Sequence, residues 1–137
     1  MSFLGSDPIL KFLLVLSGGG VGSMCRYSIA LISIKLFGTR FPYGTMIVNL
    51  TGCFLIGMCF ELAERTSWFG PSARLFFMTG FLGGLTTFST FALETVVAGR
   101  KGTEAISLAN FFANNVVGMG MVLAGMWAIQ FLFKWRS

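Results

Sequence analysis

Glycine, hydroxyl and phenylalanine residues are concentrated in one short stretch of this 137-residue chain, Gly80 to Phe91, which reads GFLGGLTTFSTF. The stretch lies in a charge-free run, 75–93, that is long enough to cross a bilayer. Glycine pairs and hydroxyl clusters disfavour an uninterrupted helix. A break at membrane depth is tolerated only where it is buried in protein or lines a water-filled path. The stretch therefore predicts an ion or solute site rather than a simple anchor.

Polar or small residues fall at helical spacing in three of the apolar runs: Thr45 and Asn49; Thr86, Thr90 and Glu94; and Ser107, Asn110, Asn114 and Gly118. Asparagine amides and Ser/Thr hydroxyls can donate hydrogen bonds to an anion. Phe88 and Phe91 share a helix face and can add electropositive ring edges. Such contacts would bind an anion yet release it quickly, as conduction requires. Interhelical hydrogen bonding and simple packing of the phenylalanines are the alternative interpretations.

Arg26 and Glu94 are the only charges well inside the apolar runs. Arg26 either attracts anions, snorkels to the headgroups or pairs with a carboxylate, and Glu94 either faces the path or forms an interfacial salt bridge. Histidine is absent from the sequence, which excludes histidine acid–base chemistry and histidine metal sites. Cys25, Cys53 and Cys59 fall within apolar runs, where they are expected to act as small fillers. An enzyme is not expected, because the sequence contains no recognisable nucleophile–base pair or metal cluster.

The elements that must position these residues are membrane spans. The chain is 55% hydrophobic and 11% charged, whereas soluble domains carry about 25% charged residues. Its apolar runs predict an all-α integral membrane protein, one domain over 1–137, with helices at about 9–37, 43–63, 74–98 and 104–133. We expect the third helix to be broken near its middle. The connections, including a loop over 67–72, are short, so neighbouring spans should be antiparallel.

The Lys and Arg residues are almost evenly divided between the two ends of these spans. One side would carry Lys11, Arg65, Arg74, Lys134 and Arg136, and the other side Lys35, Arg40, Arg100 and Lys101. Orientation in a membrane follows this asymmetry, so a balanced chain is able to insert both ways up. Two such copies would pair antiparallel about a two-fold axis in the membrane plane. The alternative is that a single residue such as Lys11 fixes one orientation.

Three motifs resemble the small fluoride channels of the Fluc (CrcB) family. Gly18-Gly19-Gly20-Val21-Gly22 followed by Arg26-Tyr27 looks like the start of that family, and Pro42-Tyr43-Gly44-Thr45 with Val48-Asn49 resembles its second helix. The stretch from Thr79 to Phe91, with Glu94, is very close to the family's central motif and is the most specific of the three. The resemblance covers nearly the whole chain.

The resemblance implies a passive fluoride exporter in the bacterial inner membrane, built as a dual-topology antiparallel homodimer with two pores. The implied pore residues are Phe88, Phe91, Asn49, Thr45, Thr87, Ser89, Glu94 and Asn114. Arg26 corresponds to a vestibule arginine, and the backbone carbonyls of Gly83 and Thr86 to ligands of a structural sodium ion. The fourth helix departs from some members, which carry a tyrosine and serines where this chain has Asn110, Asn114 and Gly118.

Two other function classes remain as alternatives. A small proton-coupled multidrug exporter needs a carboxylate near mid-membrane, whereas the first span offers Arg26 and Glu94 lies off-centre. A non-transporting assembly factor held together by glycine contacts would leave the asparagine, threonine and phenylalanine placements unexplained.

Overall fold

Four membrane-length helices make up the described part of the chain, residues 7–135 of a computed structural model. They are α1 (Pro8–Phe37), α2 (Tyr43–Arg65), an interrupted third span (Pro71–Arg100) and α5 (Glu104–Lys134). The third span consists of α3, residues 71–85, and α4, Phe88–Arg100. Their length and apolar composition make this a multi-pass membrane protein, and the prediction of four spans with a broken third is confirmed. Arg136, counted in the charge balance, lies outside the described residues.

Proline determines where two of these helices begin. The carboxylate of Asp7 accepts a hydrogen bond from the Ile9 amide at 3.0 Å, and Pro8 occupies the first turn of α1. The third span also begins at a proline, Pro71, three residues before its expected start. The predicted loop, 67–72, therefore extends too far at its C-terminal end. Proline fits the first turn of a helix because the amide hydrogen that it lacks would have no helical partner there.

Glycines bring α1 and α3 together at backbone distance. A Cβ on Gly22 would overlap the carbonyl of Phe81, and one on Gly84 would overlap the carbonyl of Gly19. Gly83 has a helical φ of −63°. The expectation that glycines interrupt the third span is thus wrong in its detail, because they lie within α3 and permit close packing instead.

A second close contact joins α2 to α5. A Cβ on Gly57 would overlap the carbonyl of Val122, and one on Gly125 would overlap the carbonyl of Phe54. The buried residue Val48 of α2 packs with Leu82 and Leu85 at the end of α3. Together with the packing of α4 on α5, these contacts place the interruption of the third span between α2 and α5.

Two stretches depart from regular α-helix into π-helix, Leu75–Leu82 in α3 and Ala113–Val117 in α5. A π turn contains about one more residue than an α turn and often occurs at functional sites. The second stretch carries Asn114, which borders the same cavity as Thr87 of the interruption. These wide turns displace side chains from the faces that a 3.6-residue period predicts.

Candidate functional site

Two threonines in extended conformation separate α3 from α4. Thr86 has φ −84° and ψ 157°, and Thr87 has φ −150° and ψ 115°. The Thr87 hydroxyl caps α4 by accepting from the Thr90 amide at 3.2 Å, whereas the Thr86 hydroxyl donates back to the Leu82 carbonyl at 2.9 Å. Helical periodicity ends at Thr86, so the face predicted to join Thr86 with Thr90 and Glu94 is not continuous.

Asn49 of α2 bridges the interruption. Its side-chain oxygen accepts a hydrogen bond from the Thr87 amide at 2.8 Å, and its side-chain nitrogen donates to the Thr87 carbonyl at 3.1 Å. A continuous helix would have used the Thr87 amide to bond the Gly83 carbonyl. The Asn49 amide therefore satisfies backbone groups that the break leaves open, which lipid could not do.

The carbonyls of Gly83 and Thr86 are released by the same geometry. Their helical donors are the amides of Thr87 and Thr90, and these donate instead to the side chains of Asn49 and Thr87. Gly83 is exposed, and a Cβ added to it would meet nothing within 4 Å. In membrane transporters, backbone carbonyls of unwound helix segments at membrane depth coordinate sodium. These two carbonyl oxygens thus fit the predicted sodium ion, although neither is a charged ligand.

Phe88 and Phe91 form a ring pair on the first turn of α4. Their centroids are 5.5 Å apart and the ring planes are inclined by 63°, an edge-to-face arrangement. Their exposure differs strongly: Phe88 is 76% exposed and Phe91 is 5% exposed. One phenylalanine therefore belongs to the interior of this chain, and the other projects from it.

An apolar cavity of about 360 Å³ adjoins this ring pair. Phe88 and Phe91 border it together with Asn49, Thr87 and Asn114. Few polar groups in a mainly apolar cavity are the usual composition of a binding site. The Ser89 hydroxyl lies 3.4 Å from that of Thr87, so all these predicted pore residues occur around one break.

Thr45 and Glu94 form a second polar group, which shares a cavity with Thr87 of the break. The Thr45 hydroxyl donates to the Glu94 carboxylate at 2.8 Å, and the other Glu94 oxygen, Oε2, is buried without a hydrogen-bond partner among residues 7–135. Both residues border a cavity of about 340 Å³ that also contains Arg26. Arg26 and Glu94 share this cavity without forming an ion pair with each other.

A wider cavity of about 480 Å³ connects the same pair to the loops at one end of the bundle. Arg40 and Lys101 border its outer part, and Thr45 and Glu94 border its inner part. The basic residues favour anions at this mouth. The predicted vestibule arginine, Arg26, lies in the adjoining cavity rather than in this one.

Asn110 and Asn114, two of the three asparagines of α5, occupy different environments. Asn114 borders the cavity beside the phenylalanines, and its side-chain oxygen accepts from the Asn49 side chain at 2.8 Å. Asn110 is 1% exposed and bonds to Asn114 and to Thr95 of α4. Sequence reasoning did not single out Thr95. Its position four residues after Phe91, from which a threonine hydroxyl reaches the Phe91 carbonyl, was the available signal.

One known family matches most of the chain. Residues 13–126 match the family described as CrcB-like protein, Camphor Resistance (CrcB). The chain belongs to the CrcB family. The matched residues include the break, Asn49 and the residues that border the three cavities described above.

Three relatives of this CrcB-family chain are named fluoride-specific ion channel FluC. The protein from Solibacter usitatus is 43% identical over 116 residues, which cover 85% of this chain and 95% of the relative. The protein from Agrobacterium fabrum is 41% identical over 118 residues, covering 86% and 94%. The protein from Salinibacter ruber is 40% identical over 124 residues, covering 90% and 92%. Because these relatives are ion channels, the family is not enzymatic.

Proposed function

We propose that this CrcB-family chain is a passive fluoride channel of the bacterial inner membrane. The observation that carries the proposal is the break in the third span, where a phenylalanine pair and the helix-capping Thr87 adjoin a mainly apolar cavity. The printed names of the relatives supply the ion. Without a formal charge at the phenylalanines, the path would bind fluoride weakly enough to release it.

The residues around the break would contribute different contacts to the conducted anion. The ring edges of Phe88 and Phe91 present positive potential to the anion. The Ser89 hydroxyl would donate to it, and so would the Thr87 hydroxyl once it turns from Thr90, to which it donates at 3.0 Å. Asn49 and Asn114 border the same cavity. An anion stripped of water needs such partners at each step, and several weak sites in series permit rapid passage.

The outer part of the path would lie between the loops and the break. Thr45 and Glu94 border both of the cavities that extend from it, and Arg26 borders the inner one. Arg26 would raise the local concentration of anions, and Thr45 would hold the Glu94 carboxylate through its 2.8 Å hydrogen bond.

Two antiparallel copies would complete the site. Phe88 is 76% exposed at membrane depth, next to the exposed Gly83 and the released carbonyls. A second copy packed across the break would cover these groups, and each of two pores would then take residues from both subunits. The balanced distribution of Lys and Arg supports insertion in both orientations.

A sodium ion on the two-fold axis would be held by the carbonyls of Gly83 and Thr86 from each copy. When bound, the ion would supply positive charge that links the two breaks and would have no redox role. We expect purified dimer to lose thermal stability when sodium is replaced by N-methylglucamine, because a ligand that binds only the folded state stabilises it. Identical melting temperatures in the two solutions would contradict a structural sodium ion.

Efflux from liposomes tests the function directly. Vesicles loaded with potassium fluoride and containing the purified protein should release fluoride rapidly once valinomycin provides a path for potassium. Vesicles loaded with potassium chloride should release chloride far more slowly. Equal rates for the two anions would refute selectivity, and protein-free vesicles control for leakage of hydrogen fluoride.

A further inference from the structure

Asn110 is a buried amide whose hydrogen bonds all lead to other parts of the site. It is 1% exposed, so an unsatisfied amide would be costly there. Its nitrogen donates to the Thr95 hydroxyl at 2.9 Å, and at 3.5 Å it also lies near the Phe91 carbonyl. Its oxygen accepts from the Asn114 side chain at 2.9 Å. Asn110 thus joins α4 to Asn114 without bordering the cavity at the phenylalanines.

The Thr95 hydroxyl determines which way the Asn110 amide points. That hydroxyl donates its only hydrogen to the Phe91 carbonyl at 2.8 Å, which leaves it able only to accept from Asn110. The nitrogen of the Asn110 amide must therefore face Thr95, and its oxygen must face Asn114. Because the side-chain oxygen of Asn110 can only accept, Asn114 must turn its side-chain nitrogen towards it. That nitrogen donates at 2.9 Å both to this oxygen and to the backbone carbonyl of Asn110.

The orientation of the Asn114 amide in turn determines that of Asn49 on α2, which bonds to Thr87 at the start of α4. With its nitrogen engaged, Asn114 presents its oxygen to Asn49, whose nitrogen donates at 2.8 Å. Asn49 then presents its own oxygen to the Thr87 amide, also at 2.8 Å. Both amide hydrogens of Asn49 are used, since the second bonds the Thr87 carbonyl at 3.1 Å. Asn49, Asn114 and Asn110 form an amide relay that begins at Phe91 and ends at Thr87, on the same turn.

We propose that Thr95 and Asn110 are positioning residues that set the direction of this amide relay and thereby fix the first turn of α4. That turn carries Phe88 and Phe91, so Thr95 and Asn110, which do not border the cavity at the phenylalanines, hold both rings in place without contacting the anion. The inference rests on the proposed function, because the placement of the rings matters only if fluoride passes them. It also gives Asn49, which borders that cavity, the further task of bracing the break through its bonds to Thr87.

Two substitutions that preserve shape interrupt the relay. Thr95→Val removes the hydroxyl that sets its direction, and Asn110→Leu removes its buried amide at similar volume. Thr95→Ser keeps the hydroxyl and should rescue the loss. Thr66→Val is the matched control, because the Thr66 hydroxyl also donates to the carbonyl four residues earlier, at 2.6 Å, but Thr66 borders none of the three cavities described above.

The experiment measures fluoride efflux from liposomes together with amide hydrogen exchange of the segment 86–90, on the intact purified protein. We expect Thr95→Val and Asn110→Leu to reduce efflux about tenfold and to accelerate exchange at Thr87 by a similar factor, as the loss of one net hydrogen bond predicts. Thr95→Ser and Thr66→Val should retain the rate and the protection of the original chain. If Asn110→Leu does not fold, the isosteric Thr95→Val carries the test.

The two measurements separate the relay from the proposed function. Unchanged exchange at 86–90 in Thr95→Val would overturn the relay, whatever the efflux. Full efflux in that variant would overturn the role of the relay in placing the rings. Faster exchange in a chain that never conducts fluoride would support the relay and contradict the channel.

Discussion

At the scale of residues, Phe88 and Phe91 differ more than their spacing suggests. They were predicted to share a helix face, and their rings do meet edge to face. Phe91 is 5% exposed within the chain, however, whereas Phe88 is 76% exposed. Burial of a phenylalanine contributes to folding, so the two residues should differ in their effect on stability even if both serve the ion path.

Substitution of each phenylalanine by isoleucine separates these contributions. We expect Phe88→Ile and Phe91→Ile to reduce fluoride efflux strongly, because isoleucine has no electropositive ring edge. Phe91→Ile should also destabilise the fold of the single chain, by about 1 kcal/mol, because Phe91 is buried within it, whereas Phe88 would be covered only by the second copy. Efflux and denaturation in detergent measure the two effects. Normal efflux in both variants would refute coordination by ring edges.

At the scale of elements, glycine serves close packing and threonine makes the break. Gly84 lies inside α3 against the backbone of α1, while Thr86 and Thr87 take the extended conformation. The Thr87 hydroxyl and the Asn49 amide provide the hydrogen bonds that the interrupted helix lacks. A break of this kind needs partners for its polar groups in a membrane; Asn49 of α2 supplies them for the Thr87 amide and carbonyl, whereas the carbonyls of Gly83 and Thr86 stay open.

Two glycines of α1 provide a matched test of this packing. Gly22→Ala would place a methyl group against the Phe81 carbonyl, whereas Gly20→Ala would meet nothing within 4 Å in the chain. We expect Gly22→Ala to lower the free energy of unfolding by about 1–3 kcal/mol. Gly20→Ala should be neutral or slightly stabilising, because alanine favours a helix. Equal stability of the two variants, measured by thermal denaturation in detergent, would contradict backbone contact between α1 and α3.

At the scale of the whole molecule, the proposed dimer depends on how the chain inserts. The charge balance of five basic residues against four gives almost no preference. The exposed Phe88 and Gly83 lie on the third span, whose break offers backbone carbonyls to a partner. A two-fold axis through this point would pair each break with a copy of itself.

Loop lysines test that arrangement. Ser67→Lys with Ser72→Lys adds two charges to one side, so the double variant should insert in one orientation and lose efflux when expressed alone. Coexpression with a chain that carries Thr39→Lys and Ala105→Lys on the other side should restore efflux. Full activity of the first variant by itself would count against antiparallel pairing, and Ser67→Gln with Ser72→Gln controls for the loss of the serines.

The sequence by itself determined the class of this protein and most of its elements. Long apolar runs predict spans without knowledge of packing, because lipid imposes the same length on any helix that crosses it. Asp7, Pro8 and the hydroxyls near Thr87 also act locally, so the start of α1 and the presence of a break were predictable. The family motifs in turn indicated which residues surround the break.

Only the tertiary structure decided the position of the break and the partners of its polar groups. Thr87 takes the extended conformation because Asn49, 38 residues away in the sequence, accepts its amide hydrogen. The amide relay depends on α2, α4 and α5 meeting at one point, and π-helical turns change the faces that these helices present. Such contacts join distant residues, so local spacing indicates which groups are polar but not which of them touch.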